Sequence, residues 1–265
     1  MTYVPPWVVF HVPHDSTQIP VDVRNQFALD DAQLEYELLT MTDHKTFDLL
    51  ASGVEHAQVV RASVSRLVLD VERFEDDKFE PMALRGMGAV YTQTHDGQTL
   101  RHSVADDQRH KLLEDWYWPH HAALTLATQT ALQESGLAVI IDCHSFPAMP
   151  LPYEVDQTAR RPQICIGTDA FHTPAALAQF LSDALAIAGY EVGLDSPFSG
   201  SMVPTAYFKK DRRVISVMLE VRRDLYLLEQ SGSPNTEFER ISAEIRQCLL
   251  QALHRWHMLE FGRKS

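Results

Sequence analysis

Val139-Ile140-Ile141-Asp142-Cys143-His144-Ser145-Phe146-Pro147 follows Gly136, opens as an apolar β-branched run and ends in a polar cluster closed by proline. A run this short and apolar predicts a buried strand rather than a helix. Side chains alternate along a strand, so Asp142 and His144 share one face while Cys143 and Ser145 take the other. Open α/β sheets bind their ligands beyond the carboxyl ends of the strands, which is where this cluster falls. A carboxylate and an imidazole on one buried face are donor types that suit a metal.

The same pattern recurs on both sides of that stretch. Residues 7–12 predict a strand broken by Pro13-His14-Asp15-Ser16, and residues 65–73 predict another, ending in Asp70, Glu72 and Arg73. The run 163–167 leads to Asp169 and His172, and the run 214–221 carries Glu220 just before Arg222. Residues 57–62 and 190–194 read as further strands. Helices are predicted over 32–39 behind two acids, over 45–52, over 104–133 with a kink at Pro119, over 175–188 with Thr173 as cap, and from about 233 to 261. Residues 74–107 are loop-like, with one short strand at 89–92. Strands alternating with helices predict one α/β domain over 1–265, three layers deep, with a mixed, largely parallel sheet.

Composition narrows the functions. The 265 residues are 45% hydrophobic and 22% charged, enough for a sizeable core. A formal charge of -13 argues against the basic patch that nucleic acid or an anionic membrane requires. Three scattered cysteines, Cys143, Cys165 and Cys248, make no CxxC pair and predict a reducing cytoplasm. The N-terminal residues have no signal-peptide pattern, and no apolar run reaches the roughly 18 residues of a membrane span. The sequence specifies no oligomeric state.

Pro13-His14-Asp15-Ser16 with Ile19-Pro20, Thr42-Asp43, Ser65-Arg66 with Asp70, and Asp142-Cys143-His144-Ser145 resemble the N-formylglutamate amidohydrolases, from His14 to about Tyr226. That family is related to the zinc carboxypeptidases. Asp70-Val71-Glu72-Arg73 is similar to their Asp-x-Asn-Arg segment, and Leu219-Glu220-Val221-Arg222 to the strand of their catalytic glutamate. The resemblance implies a zinc-carboxypeptidase-like (phosphorylase/hydrolase-like) fold. It implies zinc, or another divalent metal, on His14 and His144 with a third ligand. Thr17 occupies the position of the carboxypeptidases' carboxylate ligand, which leaves Asp43 as the third ligand here, with Glu37 and His44 as alternatives. By the same resemblance, Asp70 and Asp142 support the ligands from behind. Glu220 relays a proton from the attacking water to the leaving amine, Arg73 grips a substrate carboxylate and Arg66 adds positive charge. A loop over 199–210 brings Tyr207 to the substrate. The implied reaction is hydrolysis of N-formylglutamate to formate and glutamate. Hydrolysis of another N-acyl amino acid or short peptide, or non-catalytic binding of an anionic metabolite, stand as alternatives. Glu72 departs from the carboxypeptidase asparagine and sets an acid beside the clamp.

Each of these residues also has a structural reading. Asp43 could cap the helix after it, Asp70 and Glu72 could pair with Arg66 and Arg73, and Glu220 could pair with Arg222 and Arg223. Cys143 fits a buried apolar position, and Asp169 with His172 fits a helix start. His120-His121 fits a solvated helix face.

Overall fold

Three of the apolar runs lie side by side at the centre of the sheet. The computed structural model describes residues 2–55, 57–158 and 160–262; Met1 and 263–265, the ends of the expected 1–265 domain, lie outside them. The strands are β1 (Val8–Val12), β2 (Gln58–Arg61), β3 (Ala138–Phe146), β4 (Ile164–Gly167), β5 (Val192–Leu194) and β6 (Val214–Arg222). Their spatial order is β2-β1-β3-β6-β4-β5. Every neighbouring pair is parallel except β6 with β4. The register sets His11 of β1 beside Asp142 of β3, and His144 beside Glu220 of β6.

Alternation divides the side chains of the central strands between two layers. Phe10, Val12, Ile141, Cys143, Leu219 and Val221 pack under the helices α4 (Ala175–Ile187) and α5 (Phe238–Phe261), against residues such as Leu181, Leu249 and Trp256. Val9, Ile140 and Val214 face the opposite way, under Leu124, Ala127 and Ala131 of α3 (Trp118–Ser135). Full burial of each aliphatic side chain is worth about 1.5–3 kcal/mol, so these two layers drive the sheet together. Gly136 ends α3 at φ 70°, a left-handed conformation that suits glycine, and returns the chain directly into β3. The result is a single α/β domain with a mixed, mostly parallel six-stranded sheet. No helix among the described residues is long and apolar enough to cross a membrane.

Several expectations are corrected. Residues 65–73 form turns, not a strand. Leu67, Val68, Leu69 and Val71 enter a second core beside the sheet, together with Tyr91 and Leu100. The carbonyls that a sheet would have paired are taken by the Arg101 guanidinium, which donates to Leu67 O (2.6 Å) and Val68 O (3.0 Å). Residues 89–92 are likewise no strand: Ala89 O accepts from Asp70 N instead. α1 (Asp31–Met41) begins with a capping box between Asp30 and Gln33. Before α4, Thr173 does not cap; its hydroxyl donates to Ser216 O at 2.6 Å. The expected kink near Pro119 is a widened turn over Leu113–Tyr117, between α2 (Asp106–Leu112) and α3. α5 starts at Phe238, because Ser233–Pro234 pairs with Leu227–Leu228.

Candidate active site

Beyond the carboxyl ends of β1, β3 and β6 lies a cavity of about 540 Å³, lined by His14, Asp43, Arg66, Glu72, Arg73, His144, Glu220 and Arg223 among others. Parity brings the strand residues there. His144 and Glu220 lie on the face opposite Cys143 and Leu219, and His14 follows two residues after β1 ends. Apolar walls come from Met82, Phe146, Leu151, Phe198 and Met218.

Each histidine is held from one side. His14 Nε2 lies 2.8 Å from Asp70 Oδ1, and because an ionised carboxylate only accepts, that nitrogen carries the proton. Asp70 is in turn held by Arg66 Nη2 (2.9 Å) and the Tyr91 hydroxyl (2.5 Å). Burial would raise its pKa, but His14, Arg66 and Arg73 hold it well below the carboxylate range. His144 Nε2 lies 3.2 Å from both Asp142 Oδ1 and Glu72 Oε1. Its Nδ1 faces Asp43 Oδ2 at 3.2 Å, and His14 Nδ1 lies 3.8 Å from the same oxygen. The other Asp43 oxygen accepts from Arg223 Nη2 at 2.9 Å. Burial opposes the charge on Asp43 as well, yet His144, Arg223, His14 and Arg66 lower its pKa.

Three buried polar atoms at this cavity have no hydrogen-bond partner: His14 Nδ1, Arg73 Nε and Glu220 Oε2. An orphaned buried polar group costs about 1–3 kcal/mol, so three in one cavity mark a place built for something else to bind. Glu220 carries the clearest sign of it. Burial, with Asp43 and Glu72 nearby, pushes its carboxyl up to about 8 against the pull of His144 and Arg223. Burial pushes His144 down, but Glu72, Asp142 and Asp43 together hold its imidazole well above its ordinary pKa.

Ligand-type atoms of His14, Glu72 and His144 all lie within 4.8 Å of one another. Two carboxylates therefore flank the histidine pair, Asp43 on the Nδ1 side and Glu72 on the Nε2 side. Both Nε2 atoms are already hydrogen-bonded, whereas His14 Nδ1 is not. The donor set of imidazoles and carboxylates fits a divalent cation.

A model of the N-formylglutamate amidohydrolase family matches residues 7–227. The chain belongs to that family. An N-formylglutamate deformylase of Pseudomonas putida is 28% identical over 207 residues, covering 76% of each chain. A crystal structure of an N-formylglutamate amidohydrolase from Ralstonia eutropha JMP134 superposes with a TM-score of 0.79 at 19% identity, over 94% of this chain and 93% of that one. A gene product of Agrobacterium tumefaciens superposes with a TM-score of 0.65, also at 19% identity, over 95% and 92%. The two superpositions show the shared fold.

Within this amidohydrolase fold, His14, Asp43, Arg66, Arg73, His144 and Glu220 meet in one cavity, with Asp70 and Asp142 directly behind the histidines. Tyr207 is not brought there; it packs against the core beneath α3. Nor are the alternatives for a third ligand: Glu37 binds His95 through its backbone N–H and ring, and His44 donates from Nε2 to Leu39 O. Asp43 caps nothing with its side chain, since Thr46 bonds to its carbonyl. Asp169 and His172 are structural, His172 bridging Val214 O and Lys209 N. Arg223 escaped the sequence reading because adjacent arginines look alike. Arg222 turns to the exposed Asp224, while Arg223 turns inward to Asp43 and Ser145. His120, expected in solvent, is buried against His11, with their Nε2 atoms 2.8 Å apart.

Proposed function

We propose that this chain is a metal-dependent hydrolase of the amide bond in N-acyl amino acids, with N-formylglutamate as its first substrate, split by water into formate and glutamate. Membership of the family, the name of the Pseudomonas putida relative and the three unpaired atoms in one cavity support the reading. The unpaired atoms carry it, because they are of three chemically distinct kinds: a ligand nitrogen, a carboxylate oxygen and a guanidinium N–H.

We assign the cation, zinc in the first instance, to Nδ1 of His14, Nδ1 of His144 and Oδ2 of Asp43. The orphaned Nδ1 of His14 favours this side over Glu72, whose oxygens face Nε2 atoms that already have partners. When bound, such an ion supplies Lewis acidity and lowers the pKa of water. The chain's own residues do the rest. Glu220 accepts a proton from the attacking water and returns it to the leaving amine; its raised pKa suits a group that must do both near neutrality. Arg73, whose guanidinium stands 3.6 Å from Asp70 and 3.8 Å from Glu80 without a hydrogen bond from Nε, offers its charge to the substrate carboxylate, fixing the amide relative to Glu220. Arg66, tied to Asp70 and Tyr91, adds positive charge for the carbonyl oxygen or a second carboxylate. Asp70 keeps the proton of His14 on Nε2. Three buried free cysteines support a reducing, cytoplasmic setting.

The test is formate release from N-formylglutamate before chelation, after it and after zinc is restored, with Glu220→Gln in parallel. Turnover that chelation abolishes, zinc restores and Glu220→Gln lacks is the expected result. Metal-dependent turnover of other N-formyl amino acids but not of glutamate would move the substrate. Glu72 in the cavity wall favours that second reading, because it opposes a second carboxylate.

A further inference from the structure

We propose that His11 and His120 are positioning residues: they hold Asp142 so that His144 keeps its proton on Nε2 and presents a lone pair on Nδ1. The proposal rests on the metal reading above, and it concerns residues outside that ligand set.

The four side chains form one buried line. Asp142 Oδ1 lies 2.7 Å from His11 Nδ1 and 3.2 Å from His144 Nε2. Asp142 Oδ2 accepts from Met202 N at 2.8 Å, and Met202 O accepts from the Ser216 hydroxyl at 2.7 Å. A carboxylate held at both oxygens cannot turn, and as an acceptor it requires a proton on each nitrogen that faces it. Facing a carboxylate, His11 Nδ1 carries a proton. The ring opposite, His120, shares one hydrogen with His11 between their Nε2 atoms, 2.8 Å apart. Burial keeps His120 a neutral imidazole, with its pKa pushed down to about 2. The His11 ring is thus pinned at both nitrogens and cannot flip to show Asp142 a carbon edge.

The competing state explains why this matters. His144 has carboxylate acceptors on both sides, Asp142 and Glu72 at Nε2 and Asp43 at Nδ1, all at 3.2 Å. If Asp142 turns away, the proton of His144 can move to Nδ1 against Asp43, and a protonated nitrogen binds no metal. Glu72 still faces Nε2, so the loss is partial. Such supporting groups typically change metal affinity about 10- to 100-fold.

The experiment measures zinc affinity by competition with a chromogenic chelator, and the visible spectrum of the cobalt(II)-loaded full chain. Melting of each metal-free variant verifies that it folds. His11→Phe is expected to weaken zinc about tenfold or more, and His120→Phe to weaken it less, both with altered cobalt spectra. His11→Gln, whose amide can donate to Asp142, is expected to recover affinity to within about threefold of the parent. Folded His11→Phe and His120→Phe proteins with parental zinc affinity and cobalt spectrum would overturn the proposal alone. A parent chain that binds no zinc would overturn the metal reading and this inference with it.

Discussion

The two faces of the same three strands behave oppositely. Under α4 and α5, the alternate residues Phe10, Val12, Ile141, Cys143, Leu219 and Val221 make a buried apolar core. One residue along, toward the carboxyl ends of the other face, stand His11, Asp142, His144 and Glu220, all buried and all ionisable. Burial stabilises the first set and opposes charge on the second. A sheet that needed only to fold would have apolar residues on both faces. The first face carries the fold, and the second carries the chemistry at its expense.

The contrast can be broken first by activity. Glu220→Gln should lower kcat/KM about 10³-fold, as loss of a general base does, whereas Leu219→Ala should leave the folded fraction active. Stability should then reverse the order. Measured by urea denaturation of metal-free protein at pH 8, Leu219→Ala should cost about 3 kcal/mol through its cavity. Glu220→Gln should instead stabilise. The folded carboxyl keeps its proton to about pH 8 while the unfolded one releases it near 4.5. The parent therefore loses stability as pH rises between them, and the amide does not; about 4 kcal/mol is the expected gap at pH 8. Arg73→Met should raise KM about 30-fold with a smaller effect on kcat, from loss of one charge-assisted bond. The smallest effect lies behind the site. Folded His120, held neutral to about pH 2, takes up no proton as pH falls below 6.5, while the unfolded chain does. His120→Phe should flatten the acid limb of the metal-free stability curve by about 1 kcal/mol per pH unit.

The central strands were legible in sequence because β-branched runs that end in polar clusters obey both local and tertiary rules. The shared face of Asp142 and His144 followed from period two alone, whereas Ser145, expected with Cys143, lines the cavity and bonds Arg223. Residues 65–73 misled because a buried apolar run resembles a strand whoever satisfies its carbonyls, and here the partner, Arg101, comes some thirty residues later. His120 misled because its burial depends on His11, more than a hundred residues away. Asp43 carried both a helix-capping reading and a site reading; only the tertiary position of Arg223 and His144 separates them.

The central claim is that His14 and His144 hold a cation at the polar face. Titrating zinc into the chelated parent, His14→Ala and His144→Ala, with melting as a second readout, tests it directly. The account predicts one zinc per parent chain with a clear rise in melting temperature, and neither in the two variants. A parent that takes up no zinc, or variants that bind it as the parent does, would contradict it.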